Sequence, residues 1–227
     1  MRPAIALLWL AAPSFVMGQA NDFLLVPGVR VGPLTASAVR ADVERLFPGA
    51  TVKDDELELE EGVVLDATYV NREKRPESLA IVWTGKTPDS HPKQVFLCRG
   101  RGRGECRWHA AAPGGNIAVG VKLLDLEKIN GNPFTLHGFG YGYGGNIESW
   151  EGGKIAKFDC TGSLTLGIDG ERNRDGELTA SLTPEERQSF SGNRSIPTST
   201  EGLRKLNPAI TEILFTFPEG GAKACGN

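Results

Sequence analysis

Apolar and polar positions alternate over Glu56–Glu60, and short apolar runs stand at Phe23–Val26, Val63–Val70 and Leu79–Trp83. Period-two alternation and short apolar runs bounded by turn residues predict strands. The boundaries here are Pro27-Gly28, Glu61-Gly62 and the polar stretch Asn71–Glu77. Between the first two runs, Val39, Val43, Leu46 and Phe47 recur at helical spacing, with Thr35 as the expected N-cap and Pro48-Gly49 as the stop. Two more strand-like runs, Gln94–Leu97 and Arg107–Ala110, flank a loop bounded by Cys98 and Cys106, and a stapled hairpin is expected there.

The second half repeats the theme. Gly28–Gly49 (GVRVGPLTASAVRADVERLFPG) and Asn116–Gly131 (NIAVGVKLLDLEKING) each carry a Val-Gly step, an amphipathic segment with a D-[VL]-E-[RK] run, and a glycine stop. Strands are then expected at Thr135–Tyr143, Lys154–Cys160, Ser163–Ile168 and Ile210–Phe217, with a turn at Asp175-Gly176. Thr183-Pro184-Glu185-Glu186 opens a short helix with proline at its first position, and Glu201–Leu206 predicts another. The pattern predicts an α+β fold of two helix-plus-antiparallel-sheet repeats, stapled by disulfides. Residues 21–112 hold the first repeat with its stapled hairpin, and residues 113–227 hold the second with a C-terminal strand.

This helix-then-strands arrangement, on Val31-Gly32 to Gly49 and Val119-Gly120 to Gly131, resembles the tandem repeat of the β-lactamase-inhibitor-protein fold. The same unit occurs singly in small lipoproteins of outer-membrane assembly. The resemblance covers under a fifth of the chain and implies fold alone. It transfers no contact residue, because such residues lie in variable loops. The sequence departs from the pattern in the insertion Gly170–Gly202 and in its last strand.

The amino end changes the picture of where the protein works. Arg2 precedes an apolar stretch from Ala4 to Met17, and Gly18 and Ala20 stand at the −3 and −1 positions of a signal-peptidase site. Residues 1–20 therefore read as a signal peptide, too short to span a bilayer, and a periplasmic or secreted product without a transmembrane anchor is expected. Four cysteines in an exported chain favour two disulfides. Cys98 with Cys106 is the natural pair across seven residues, leaving Cys160 with Cys225. A metal site on Cys98, Cys106 and His109 is the weaker alternative, since no C-x-x-C is present. A formal charge of −3 is a poor starting point for nucleic-acid binding, and a 40% hydrophobic content suffices for a core rather than disorder.

Three constellations are candidates for chemistry. Arg99, Arg101 and Arg103 alternate with glycines inside the stapled loop, and guanidinium groups held on a constrained turn suit carboxylate or phosphate. The run Asp54, Asp55, Glu56, Glu58, Glu60, Glu61 fits an exposed edge strand guarded by charge better than a cation site. In the stretch His137–Gly145, a strand would place His137, Phe139, Tyr141 and Tyr143 on one face and glycines on the other, with Trp150 nearby. That face is the expected ligand-binding site for a sugar or peptide.

Signatures of common enzymes are missing: no G-x-S-x-G, no H-E-x-x-H, no phosphate loop and no dinucleotide fingerprint. Asp169–Gly176 lacks the terminal bidentate glutamate of a calcium loop. No catalytic residue, metal or cofactor is expected. The reading is an exported, non-enzymatic binding or protein-interaction module, inhibitor-like in one form, whose partner is a protein or an envelope polymer. The alternative is a hydrolase of envelope polymers with His137 and nearby carboxylates in its site.

Overall fold

The computed structural model describes residues 22–59, 62–101, 103–140, 142–168 and 182–218. The expected signal peptide, Tyr141, the Asp175-Gly176 turn and Cys225 lie outside them. In chain order the elements are β1 (Leu24–Val26), β2 (Arg30–Val31), β3 (Leu34–Thr35), α1 (Val43–Leu46), β4 (Val52–Glu58), β5 (Val64–Val70), β6 (Leu79–Trp83) and β7 (Pro92–Leu97). There follow β8 (His109–Ala112), β9 (Gly115–Ala118), α2 (Leu123–Asn130), β10 (Thr135–His137), β11 (Ile147–Ser149), α3 (Lys154–Phe158) and β12 (Leu164–Ile168). The last are α4 (Pro184–Ser189), β13 (Ser195–Pro197), α5 (Glu201–Leu206) and β14 (Ile210–Thr216). Mixed helices and mainly antiparallel sheets make this an α+β fold.

Six strands form the largest sheet, in the order β12-β14-β7-β6-β5-β4, antiparallel throughout. It draws four strands from before residue 112 and two from after it. All five residues of β6 are buried, as a continuous apolar run at the middle of a two-faced sheet requires. Leu79, Ile81, Val95, Leu97, Ile213 and Phe215 face the main core, and Tyr69, Ala80, Val82 and Phe96 form a second cluster on the other side. The acidic strand β4 is the sheet edge, as expected, with Leu57 2% exposed and Glu56 and Glu58 exposed.

A five-stranded sheet runs β3-β2-β1-β8-β9, with β1 and β8 parallel, and a three-stranded one runs β11-β10-β13. The stapled hairpin does not form. The two runs it was to join, β7 and β8, belong to different sheets, so the Cys98–Cys106 bridge spans a crossover between them.

Three further expectations are corrected. The helix from Thr35 is replaced by β3, a 3-10 turn at Arg40–Asp42 and the four-residue α1, because Thr35 pairs with Arg30 and Val39 is extended. The strand at Lys154–Cys160 is α3, since Gly153 opens a turn whose Ile155 N–H is taken by Asn130 Oδ1 at 3.2 Å. The strand at Thr135–Tyr143 ends at His137. Beyond it Gly140 and Gly145 take φ of +91° and +81°, which breaks the extended run.

Candidate interaction surface

The stapled loop does not stand alone. Its backbone is hydrogen-bonded to the polar segment that precedes β6. Arg101 N–H donates to Arg72 O at 2.5 Å, Arg101 O accepts from Arg75 N–H at 2.9 Å, and Arg107 N–H donates to Pro76 O at 2.9 Å. Ser78 Oγ accepts from Gly100 N–H at 2.7 Å and donates to Arg75 O. Glycine is required at position 100, because a Cβ there would meet Ser78 and the carbonyl of Arg72. Two polar loops are thus fixed as one unit, with the disulfide at its base.

The unit is basic. Arg72, Lys74, Arg75, Arg99, Arg101, Arg103 and Arg107 oppose Glu73, Glu77 and Glu105, an excess of four positive charges on a chain of net −3. The three arginines expected to act together differ in their surroundings. Arg99 leans back on β14, with Nη2 3.0 Å from Glu212 Oε2 and its guanidinium over the Phe96 ring at 5.7 Å. Arg101 reaches Glu73 only at 4.0 Å and is well exposed. Arg103 is exposed without an ion pair among the described residues. Arg72 is paired with Asp55 and stacks over Tyr69 at 4.4 Å, and Arg107 pairs with Glu77 at 2.5 Å while covering Phe23 at 3.9 Å. Arg75 donates Nη1 to Gly104 O at 3.0 Å. Lys74 and Arg75 enter from a segment that reads in sequence only as a polar spacer; its run Arg72–Arg75 was the signal that could have found them.

Electrostatics follow this pairing. Asp55 is held below the ordinary carboxylate range, first by the Glu56 N–H and then by Arg72. Burial pushes Asp54 up, but the Thr68 hydroxyl and Arg40 outweigh it and leave the group lowered. Tyr69 is raised, since burial outweighs the nearby arginines.

The aromatic stretch is scattered. Phe139 is 3% exposed and packs edge-on against Phe190 at 5.7 Å. Trp150 packs on Phe134 at 5.3 Å, and His137 sits half-buried in β10 opposite Ser195. Tyr143 is 73% exposed at the tip between β10 and β11. The described residues therefore do not share one face.

Among the described residues, two of the open depressions on the surface bear on these loops and strands. One of about 370 Å³ lies over β4 and β5 beside Arg40, Asp54, Asp66 and Lys86. The other, about 390 Å³, lies at the foot of the basic unit between Arg75, Glu105 and the turn Val119–Val121. Neither is lined by a histidine. Among the described residues no group of His, Cys, Asp and Glu is arranged to hold a metal ion, and no helix is long and apolar enough to cross a membrane. Cys160 is disulfide-bonded. No family model matches the chain, and comparisons with curated proteins and with solved structures find no match.

Proposed function

We propose that the protein is an exported, non-enzymatic binding module that engages a protein or envelope polymer, inhibitor-like in mode, through its basic double loop. The observation that carries this reading is the rigid frame of that loop pair: Arg101 is clamped on both sides of its peptide, yet its side chain is exposed. A recognition surface gains affinity when its charged groups are ordered before the partner arrives. The open depressions also suit a contact surface better than a cleft that must exclude water from a reaction. Export and removal of residues 1–20 belong to the same reading, supported by the Cys98–Cys106 bridge. Tyr143 is a second proposed contact, being an aromatic exposed on a glycine-rich tip.

The tandem-repeat ancestry is part of the proposal. Both Val-Gly steps place their glycine at positive φ, +54° at Gly32 and +97° at Gly120. Both helices are followed by a left-handed glycine, +78° at Gly49 and +83° at Gly131.

Cross-linking of the mature protein in a periplasmic or culture extract tests the function. The expected result is a discrete adduct that Arg101→Glu/Arg103→Glu abolishes. An adduct indifferent to both substitutions, or release of fragments from purified envelope polymer by the protein, would overturn the proposal.

A further inference from the structure

We infer that the groove at the foot of the basic double loop takes an extended acidic segment of a partner protein, its aliphatic residues on Val119 and Val121 and its carboxylates on Arg75, Arg101 and Arg103. This rests on the binding-module reading and names the partner's chemistry.

The walls of the groove differ in kind. On one side Val119 and Val121 are half-buried and rest on the main core, so they offer a fixed apolar surface. Gly120 between them adopts φ +97°, and nothing stands within 4 Å of where its Cβ would lie. On the other side Arg75 supplies a guanidinium whose Nη1 is held by Gly104 O, with no carboxylate in ion-pair range among the described residues. Gly104 of the lining is followed back along the loop by Arg103, and the Arg75 N–H bond to Arg101 O fixes the Arg101 backbone next to that of Arg75, so both exposed arginines belong to the loop that rises from this groove. Glu105 stands on the same rim, so the lining itself carries one cation and one carboxylate, and the positive excess comes from Arg101 and Arg103 in the loop beyond it.

Apolar contact area and ordered cations together select for residues that carry both, such as glutamate next to valine or leucine. A free phosphate or an anionic lipid surface would use the arginines but leave the valine wall without a role. The volume, about 390 Å³, accommodates two or three side chains rather than a folded domain. An extended segment places alternate side chains on one face, which matches a groove with one charged and one apolar wall. Attraction through exposed guanidinium groups acts over about 10 Å at 0.1 M salt, so binding must weaken as salt rises.

The test uses a phage-displayed library of random peptides of about 12 residues, roughly 40 Å when extended, selected on the wild-type mature protein. Selected peptides are titrated calorimetrically on wild type and on Arg101→Glu/Arg103→Glu, with the melting temperature of the variant as the check on folding. The expected result is a consensus combining Asp or Glu with Val, Leu or Ile, weakened about tenfold or more by the double substitution and by raised salt. Val121→Asp, which puts a like charge on the apolar wall, is expected to weaken the same peptides equally. No consensus, or one lacking acidic residues, overturns the inference. A consensus indifferent to the arginines but lost with Tyr143→Ala also overturns it, while leaving the binding module standing. Binding of inorganic phosphate or phosphatidylglycerol vesicles in preference to the peptides assigns the cations to phosphate and overturns it too. Failure of the module itself appears separately, as absence of the cross-linked adduct.

Discussion

Cys98 and Cys106, eight positions apart, bridge the end of β7 in the six-stranded sheet to the segment that enters β8 in the five-stranded one. The bridge is one of several restraints on the basic loop. Another is the set of backbone hydrogen bonds that join Arg101 and Arg107 to the Arg72–Pro76 segment. Replacing both cysteines by serine is expected to lower stability by about 2.5 kcal/mol, the loop-closure value for so short a ring. The amides of Arg101 and Arg75 should nevertheless keep their protection against hydrogen exchange. Urea denaturation and amide exchange check the two parts separately, and loss of protection at both amides would show that the disulfide alone shapes the loop.

Asn130 predicts a larger effect from a single side chain. It is wholly buried, donates from Nδ2 to Asn132 O and Trp150 O at 2.9 Å each, and accepts the Ile155 N–H on Oδ1. It joins the end of α2 to the start of α3. Asn130→Ala would leave Asn132 O and the Ile155 N–H without partners and Trp150 O with the Gly153 N–H alone, at about 1–3 kcal/mol for each orphaned group that water cannot reach. A loss of about 3 kcal/mol or more is expected in thermal melts. Asn130→Asp should not rescue it, because a carboxylate would face two carbonyl oxygens.

How much of this was legible depends on whether the cause was local. The range of β6, the helix at Glu201–Leu206 and the proline-started α4 follow from short-range signals: a continuous apolar run, helical spacing, and Thr183 with Glu186 in a reciprocal cap. Segments decided by distant partners were misread. Lys154–Phe158 has β-compatible composition, but its first turn is organised by Asn130, more than twenty residues away. Thr35 looks like a helix cap until its pairing with Arg30 is known. Strand partnership was the hardest feature, since nothing between Leu97 and His109 states that the two strands enter different sheets. The arginine loop was visible as a motif. Its frame was not, because the bonds to Arg72 and Pro76 come from the backbone, which carries no residue-specific mark.

Two aspartates should respond to pH in opposite directions. Asp54 is lowered below 3.8, burial being outweighed by Thr68 and Arg40. Its contribution to stability is present above 3.8 and is lost as pH falls through its lower native value. Asp159 is raised above 3.8 by burial, against bonds from Leu164 N–H and from the Ser163 N–H and hydroxyl. The advantage of its proton is fully present below 3.8 and is lost as pH rises through its higher native value. Unfolding curves from acid to neutral pH check this through variants. The gap between wild type and Asp54→Asn should close on acidification, and the gap between wild type and Asp159→Ala should widen.

Phe139 and Tyr143 lie four positions apart in one glycine-rich stretch and should part company under substitution. Phe139 is enclosed, with Phe190 edge-on at 5.7 Å, and its backbone bonds to Phe190 and Gly192 tie the stretch to the segment after α4. Phe139→Ala is expected to cost about 3–5 kcal/mol, the range for emptying a buried aromatic site. Tyr143 is 73% exposed, so Tyr143→Ala leaves little cavity and should shift stability by about 0.5 kcal/mol or less. If the tip contacts a partner, the same substitution lowers the yield of the cross-linked adduct without changing the melting temperature. Melting curves for both variants, run beside the cross-linking assay, separate the cases. A large stability loss with Tyr143→Ala would make the tip structural, and an unchanged adduct with an unchanged melting temperature would leave the basic double loop as the only proposed contact.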